Sequence, residues 1–105
     1  MTLEDTTPTT TPSDLDSVLH GPKRLAAMAI LRTAVEAEFA YLQRRLDVSA
    51  SDLSKQMSAL VDRGYVDMRK TGHGRGSQTW FKITAGGKTA FDAYKASLRA
   101  LLGDP

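Results

Sequence analysis

The chain contains no cysteine among its 105 residues, which excludes disulfides, thiolate catalysis and cysteine-ligated zinc and fits a cytoplasmic setting. It has no apolar run approaching about 18 residues and no leading basic-then-apolar stretch, so the sequence predicts neither a membrane span nor a secretory signal. Its two histidines, His20 and His73, lack the i, i+4 spacing of a metal pair, and solvated side chains are the simpler reading, so no metal is expected. No Ser-His-Asp arrangement can be argued from the spacings, and no Gly-Lys-Ser/Thr phosphate loop occurs. A protein without catalysis and without a cofactor is therefore expected. The length is that of one domain and too small for a second, separate sensor.

Charge is also missing, one sign at a time. Residues 1–20 hold Glu4, Asp5, Asp14 and Asp16 and no Lys or Arg, so of the net +2 the remainder carries +6. Conversely, no acid lies between Arg69 and Lys88, a stretch containing Arg69, Lys70, Arg75, Lys82 and Lys88. A solvated basic face is one explanation. A contact surface for a polyanion is the other.

Periodicity orders the chain. Residues 1–12 are Thr- and Pro-rich and nearly free of large apolar groups, which predicts a disordered tail, with one domain over 13–103. Ser13 to His20 reads as a short helix with Leu15, Val18 and Leu19 on one face, ended by Gly21-Pro22. A core helix over 22–35 follows, starting on Pro22. Ala40 to Leu46 forms a brief helix, and a turn at Asp47-Val48 leads to Ser49-Ala50-Ser51-Asp52, a capping-box-like start with Asp in place of Glu or Gln. Leu53, Met57, Leu60 and Val61 then define the buried face of a helix ending near Gly64. From there the period becomes two: Tyr65–Lys70 and Gln78–Ile83 are strands joined by the loop Thr71–Ser77, whose three glycines predict mobility. Thr84 caps a last helix to about Leu102, its first turn weakened by Gly86-Gly87. The fold class expected is mainly α with a small β-hairpin, a winged helix-turn-helix.

With Leu53, Met57, Leu60 and Val61 turned inward, Ser51, Ser54, Lys55 and Ser58 share the outer stripe of their helix. Small hydroxyls around one Lys let a helix approach a major-groove floor, with Gln56 beside them as a candidate reader of adenine. The alternative is a solvated helix face. Arg75, between Gly74 and Gly76 at the hairpin tip, is unhindered for insertion into a minor groove. Arg69, Lys70 and Lys82 on the strands and Arg44 and Arg45 on the preceding helix are candidate phosphate contacts, and His73 is a further loop candidate. Aromatic residues are not interleaved with the basic ones, which disfavours single-stranded RNA. Phe91, Tyr94, Leu98, Leu101 and Leu102 of the last helix, with Leu15, Val18 and Leu19 of the first, are the expected homodimer interface; closure of the chain's own core is the alternative.

The strings Leu15–Leu25, Phe39-Ala40-Tyr41-Leu42, Leu53-Ser54-Lys55-Gln56-Met57, Gly64-Tyr65-Val66 and Ile83-Thr84-Ala85-Gly86-Gly87 together resemble the small winged-helix transcriptional regulators of the MarR and ArsR types, over about residues 14–102. The resemblance implies a dimeric bacterial or archaeal regulator that binds double-stranded DNA, with base contacts from the Ser51–Ser58 helix and backbone contacts from the wing. The chain departs from the usual pattern at Gln56, where members often carry His, and at Asp47, where the turn often has Gly. No motif identifies an effector, and a small molecule or a protein would both be compatible. The reading is a sequence-specific homodimeric regulator on a pseudo-palindromic operator. Its rival is a winged helix that binds proteins and makes no sequence-specific DNA contact.

Overall fold

The computed structural model describes residues 10–103. In chain order these form α1 (Pro22–Thr33), β1 (Ala37–Glu38), α2 (Phe39–Leu46), α3 (Ala50–Asp62), β2 (Val66–Thr71), β3 (Gln78–Ile83) and α4 (Ala85–Leu102), with 3-10 turns at Pro12–Asp14 and Gly74–Gly76. The strands make one antiparallel sheet in the order β1-β3-β2. This is a winged helix: α2 and α3 form the helix-turn-helix, and β2 and β3 form the wing.

The core forms where the apolar faces of these elements meet. Ala27, Met28 and Leu31 of α1 are buried against α2, α3, α4 and β3. From α3 come Leu53, Met57 and Leu60, at the helical spacing that places them on one face. The sheet contributes Ala37, Val66, Phe81 and Ile83. Phe81 and Trp80 project to opposite faces, as strand alternation requires; Phe81 is the one that enters the core, 6.3 Å from the Phe39 ring centroid, and Trp80 is half-buried on the other side.

The expected helix over residues 13–20 does not form. In its place stand the 3-10 turn and a tight turn over 17–19, because Asp16 competes for the local backbone. Its carboxylate accepts the Val18 N–H at 2.9 Å and, through the other oxygen, the Tyr65 hydroxyl. Residues 1–9 of the expected tail lie outside the described residues; Thr11 belongs to the turn, its N–H donating to Asp14 at 2.8 Å. Leu19 is fully buried in the chain's own core, as are nearly all of Phe91 and Tyr94. These three side chains are thereby withdrawn from the expected dimer surface, because they fill space between α4 and the rest of the domain.

α4 starts at the base of the hairpin, where β3 ends beside the first residue of β2. The Thr84 hydroxyl accepts the Gly87 N–H at 2.9 Å and donates to the Gly64 carbonyl at 2.7 Å, while the Thr84 N–H donates to the Tyr65 carbonyl at 3.0 Å. Gly87 is needed here for space: a Cβ on it would lie 2.1 Å from the Tyr65 carbonyl oxygen and 2.9 Å from Ile83 Cγ1. Gly86 meets nothing nearer than the Thr84 hydroxyl at 3.8 Å. Gly87→Ala is thus expected to destabilise the fold by about 2 kcal/mol or more through overpacking, whereas Gly86→Ala stabilises it by up to about 1 kcal/mol through helix propensity. Urea unfolding of the two variants beside the parent checks both signs.

Candidate nucleic-acid interface

α3 is presented by its own N-terminus. Asp47 turns the chain in the left-handed region, φ 54° and ψ 56°, where Asp is tolerated better than most non-glycine residues. The Ser49 hydroxyl then accepts the Asp52 N–H at 3.1 Å, which is half of a capping box. The reciprocal half is absent because the Asp52 carboxylate points elsewhere: Lys23 at the start of α1 donates to it, and Gln56 Nε2 donates at 2.9 Å. Gln56 Oε1 in turn accepts Arg24 Nε at 2.8 Å. Both ends of the Gln56 amide are therefore engaged inside the protein, which takes this residue out of the expected reading stripe.

The rest of that stripe stands as expected in position. Ser51, Ser54, Lys55 and Ser58 are all exposed on the side of α3 opposite Leu53, Met57 and Leu60. Ser54 and Ser58 form one wall of a groove of about 280 Å³ whose other wall is the wing face bearing Met68, Lys70, Thr79 and Phe81. Lys70 is thus the strand cation that faces α3.

Arg69 and Lys82, one residue away on their strands, point to the opposite face of the hairpin. Arg69 donates to Glu36 and lies 5.8 Å over the Trp80 ring, and Lys82 is paired in register with Asp67. Arg44 and Arg45 lie on that far side too. With Trp80, Tyr41, Glu36 and Glu38 they border a groove of about 650 Å³, and Arg45 donates to the Tyr41 hydroxyl at 2.6 Å. The sequence reading has these four cations as candidate phosphate contacts; the strand pleat and the packing of α2 place them on the face of the hairpin away from Lys70.

The wing tip is a built turn, where the sequence suggested a slack loop. Gly76 N–H donates to the His73 carbonyl at 3.0 Å and Ser77 N–H to the Gly74 carbonyl at 3.2 Å. Gly72, at φ +79°, could not carry a side chain, since a Cβ would meet the Gly76 carbonyl oxygen at 2.6 Å. His73 and Arg75 are exposed at this apex. Among the described residues no cluster of three potential metal ligands occurs, and no helix is long and apolar enough to cross a membrane.

A helix-turn-helix with an exposed hydroxyl-and-lysine stripe, set beside a hairpin tipped by a free arginine, defines a nucleic-acid-binding module. The chain belongs to the winged helix DNA-binding domain family, whose sequence profile matches residues 23–102. Solved structures share the fold. The transcriptional regulator homologue protein from Pyrococcus horikoshii OT3 superposes with a TM-score of 0.75 at 28% identity, covering 82% of this chain and 85% of that one. HlyU from Vibrio cholerae N16961 gives 0.63 at 21% identity over 75% and 82% of the two chains. A PadR family transcriptional regulator from Eggerthella lenta DSM 2243 gives 0.66 at 18% identity over 76% and 74%. A comparison with curated protein sequences finds no match.

Sequence reasoning missed Lys23 and Arg24, which support α3 from α1. No signal in the chain could have found them, because their partners lie 29 and 32 residues away. The hydrogen bond from Lys23, then that from Gln56, holds the Asp52 carboxyl below its ordinary range. A carboxyl with a depressed folded pKa adds stability that is present above its unfolded value, about 3.9, and is lost as pH falls through the folded value. Asp52→Asn is accordingly expected to be less stable than the parent at neutral pH and to lose less stability on acidification below about pH 4. Thermal midpoints of the two proteins across that range measure the difference.

Proposed function

We propose that this winged helix is a cytoplasmic, sequence-specific regulator of transcription that acts as a homodimer on duplex DNA and performs no catalysis. The observation that carries the reading is the pairing, across one groove, of the exposed Ser51, Ser54, Lys55 and Ser58 stripe with the wing face of Lys70 and the open tip at Arg75. In this reading α3 enters the major groove, where Lys55 reaches guanine and the serines donate or accept, and Arg75 enters the adjacent minor groove. Lys70 and His73 contact the intervening backbone. The far-side groove bordered by Trp80 and Tyr41 has room for a small effector and leaves the DNA face free.

With Lys55, Lys70 and Arg75 as the cations on the DNA face, the expected salt dependence is a slope of about −3 in log affinity against log salt for each subunit. Arg75→Ala should reduce its magnitude by about 1 and weaken binding to all sequences, whereas Lys55→Ala should cost about 1 to 3 kcal/mol at the cognate site and relax preference at one base pair. Selection of genomic fragments at about 150 mM salt, followed by titration of the variants, decides the matter; recovery of no enriched inverted repeat counts against a sequence-specific dimer.

For the dimer, the expected residues still partly exposed are Leu15 and Val18 of the N-terminal segment, both half-buried, and the outer end of α4. Leu102 is 72% exposed, and Leu98 and Leu101 are half-buried. With two of the three leucines already half-buried, the two protomers together gain at most about 6 to 12 kcal/mol, against an association cost of about 4 to 15 kcal/mol, so the free dimer is weak and DNA completes it. Two such subunits would set their α3 helices about 34 Å apart, one turn of the duplex. Sedimentation equilibrium should show a monomer–dimer equilibrium near the micromolar range or weaker. Leu101→Glu with Leu102→Glu should leave a folded monomer that binds a single half-site as the parent does.

A further inference from the structure

We infer that Glu36 and Glu38 are positioning residues for the wing: they touch no nucleic acid, and they set the attitude at which the hairpin offers Arg75. This rests on the reading of the wing as a DNA contact. β1 pairs only Ala37 with Phe81 and Glu38 with Trp80, so its backbone holds one end of the hairpin and no more. Its flanking carboxylates extend that hold to both hairpin strands. Glu36 accepts from Arg69 on β2, and Glu38 Oε2 accepts from Gln78 Nε2 on β3 at 3.0 Å. Arg69 is steadied from below by the Trp80 ring at 5.8 Å. Gln78 pairs with Thr71 on the last rung before the turn that carries Arg75.

Arg69, Thr71, Gln78 and Trp80 share the hairpin face opposite Lys70 and Thr79. Attachment to both strands of one face resists rotation of the hairpin about its own axis, which a single bond would permit. The lever is long: from Trp80 the chain runs extended to Ser77 and then through the 3-10 turn to Arg75, roughly 14 Å at most, so a tilt of about 10° at the base moves the tip by about 2 Å. That displacement is enough to lose a contact in a narrow groove.

The two acids also make the test sharp, because electrostatics and positioning predict opposite signs. Removing two negative charges near a polyanion site raises affinity if charge alone matters. The experiment is fluorescence anisotropy of the full chain on an A·T-rich duplex of about 30 base pairs, at about 100 mM salt. Glu36→Ala with Glu38→Ala is expected to weaken binding about fivefold. The loss should vanish when Arg75→Ala is already present and persist when Lys55→Ala is, since only the wing contact depends on the two acids. Exchanging the pair, Glu36→Arg with Arg69→Glu, should restore most of the affinity lost by either change alone.

Tighter or unchanged binding by the double variant overturns the inference. So do equal losses in the Arg75→Ala and Lys55→Ala backgrounds, which would mark a general effect on the fold that a lowered thermal midpoint would accompany. If Arg75→Ala by itself binds as the parent does, the wing reading falls first and this inference with it.

Discussion

The junction at Tyr65 is the constraint on which the arrangement of the domain depends. Four elements meet there: α3 has just ended, β2 begins, β3 returns, and α4 starts. The Tyr65 carbonyl accepts the Thr84 N–H while Gly87 lies so close that any side chain would strike it. Its ring is buried with Arg63 stacked 5.0 Å away, and its hydroxyl donates to Asp16. Burial, and after it the bond to Asp16, raises the phenol above its ordinary pKa, so the neutral donor is the form the fold keeps. Through this one residue the N-terminal segment, the wing and the last helix are held to the end of α3.

From that junction the cations of the chain divide into two populations. One is tied down: Lys23 and Arg24 brace Asp52 and Gln56, Arg32 donates to Asp92 through Nε and Nη2 at 3.1 and 3.0 Å, and Arg69 binds Glu36. The other has no ion-pair partner among the described residues, and of these cations Lys55, Lys70 and Arg75 face the α3 side or the apex of the wing. Ion pairs at this level of exposure add little stability each. Their effect is on orientation and on which charges remain for a phosphate backbone to feel. A count of Lys and Arg overstates the DNA surface for that reason.

Much of the fold was legible from local pattern. The spacing of Leu53, Met57, Leu60 and Val61 identified α3 and its outer stripe, the change of period at Gly64 identified the wing, and Pro22 and Thr84 marked helix starts. Those signals are legible because helical and strand periods are properties of the chain itself. The segment around Leu19 misled the same reasoning: its apolar spacing is helical, but Asp16 bonds to Val18 and Tyr65, and a partner 49 residues away leaves no trace in a local window.

What the sequence alone determined is the four helices α1 to α4, the two strands of the wing and the inner and outer faces of α3, since the period of apolar and polar groups is enough to specify these. What only the tertiary structure decided is which of the exposed polar groups are free. Gln56, beside the outer stripe, was a candidate base reader and is engaged by Arg24 and Asp52; Arg69 looked like a phosphate contact and is held by Glu36; Phe91 and Tyr94 looked like a dimer surface and are filled against the chain's own core. Each of these outcomes depends on a group far away in sequence, and such pairings exist only once the chain has closed on itself.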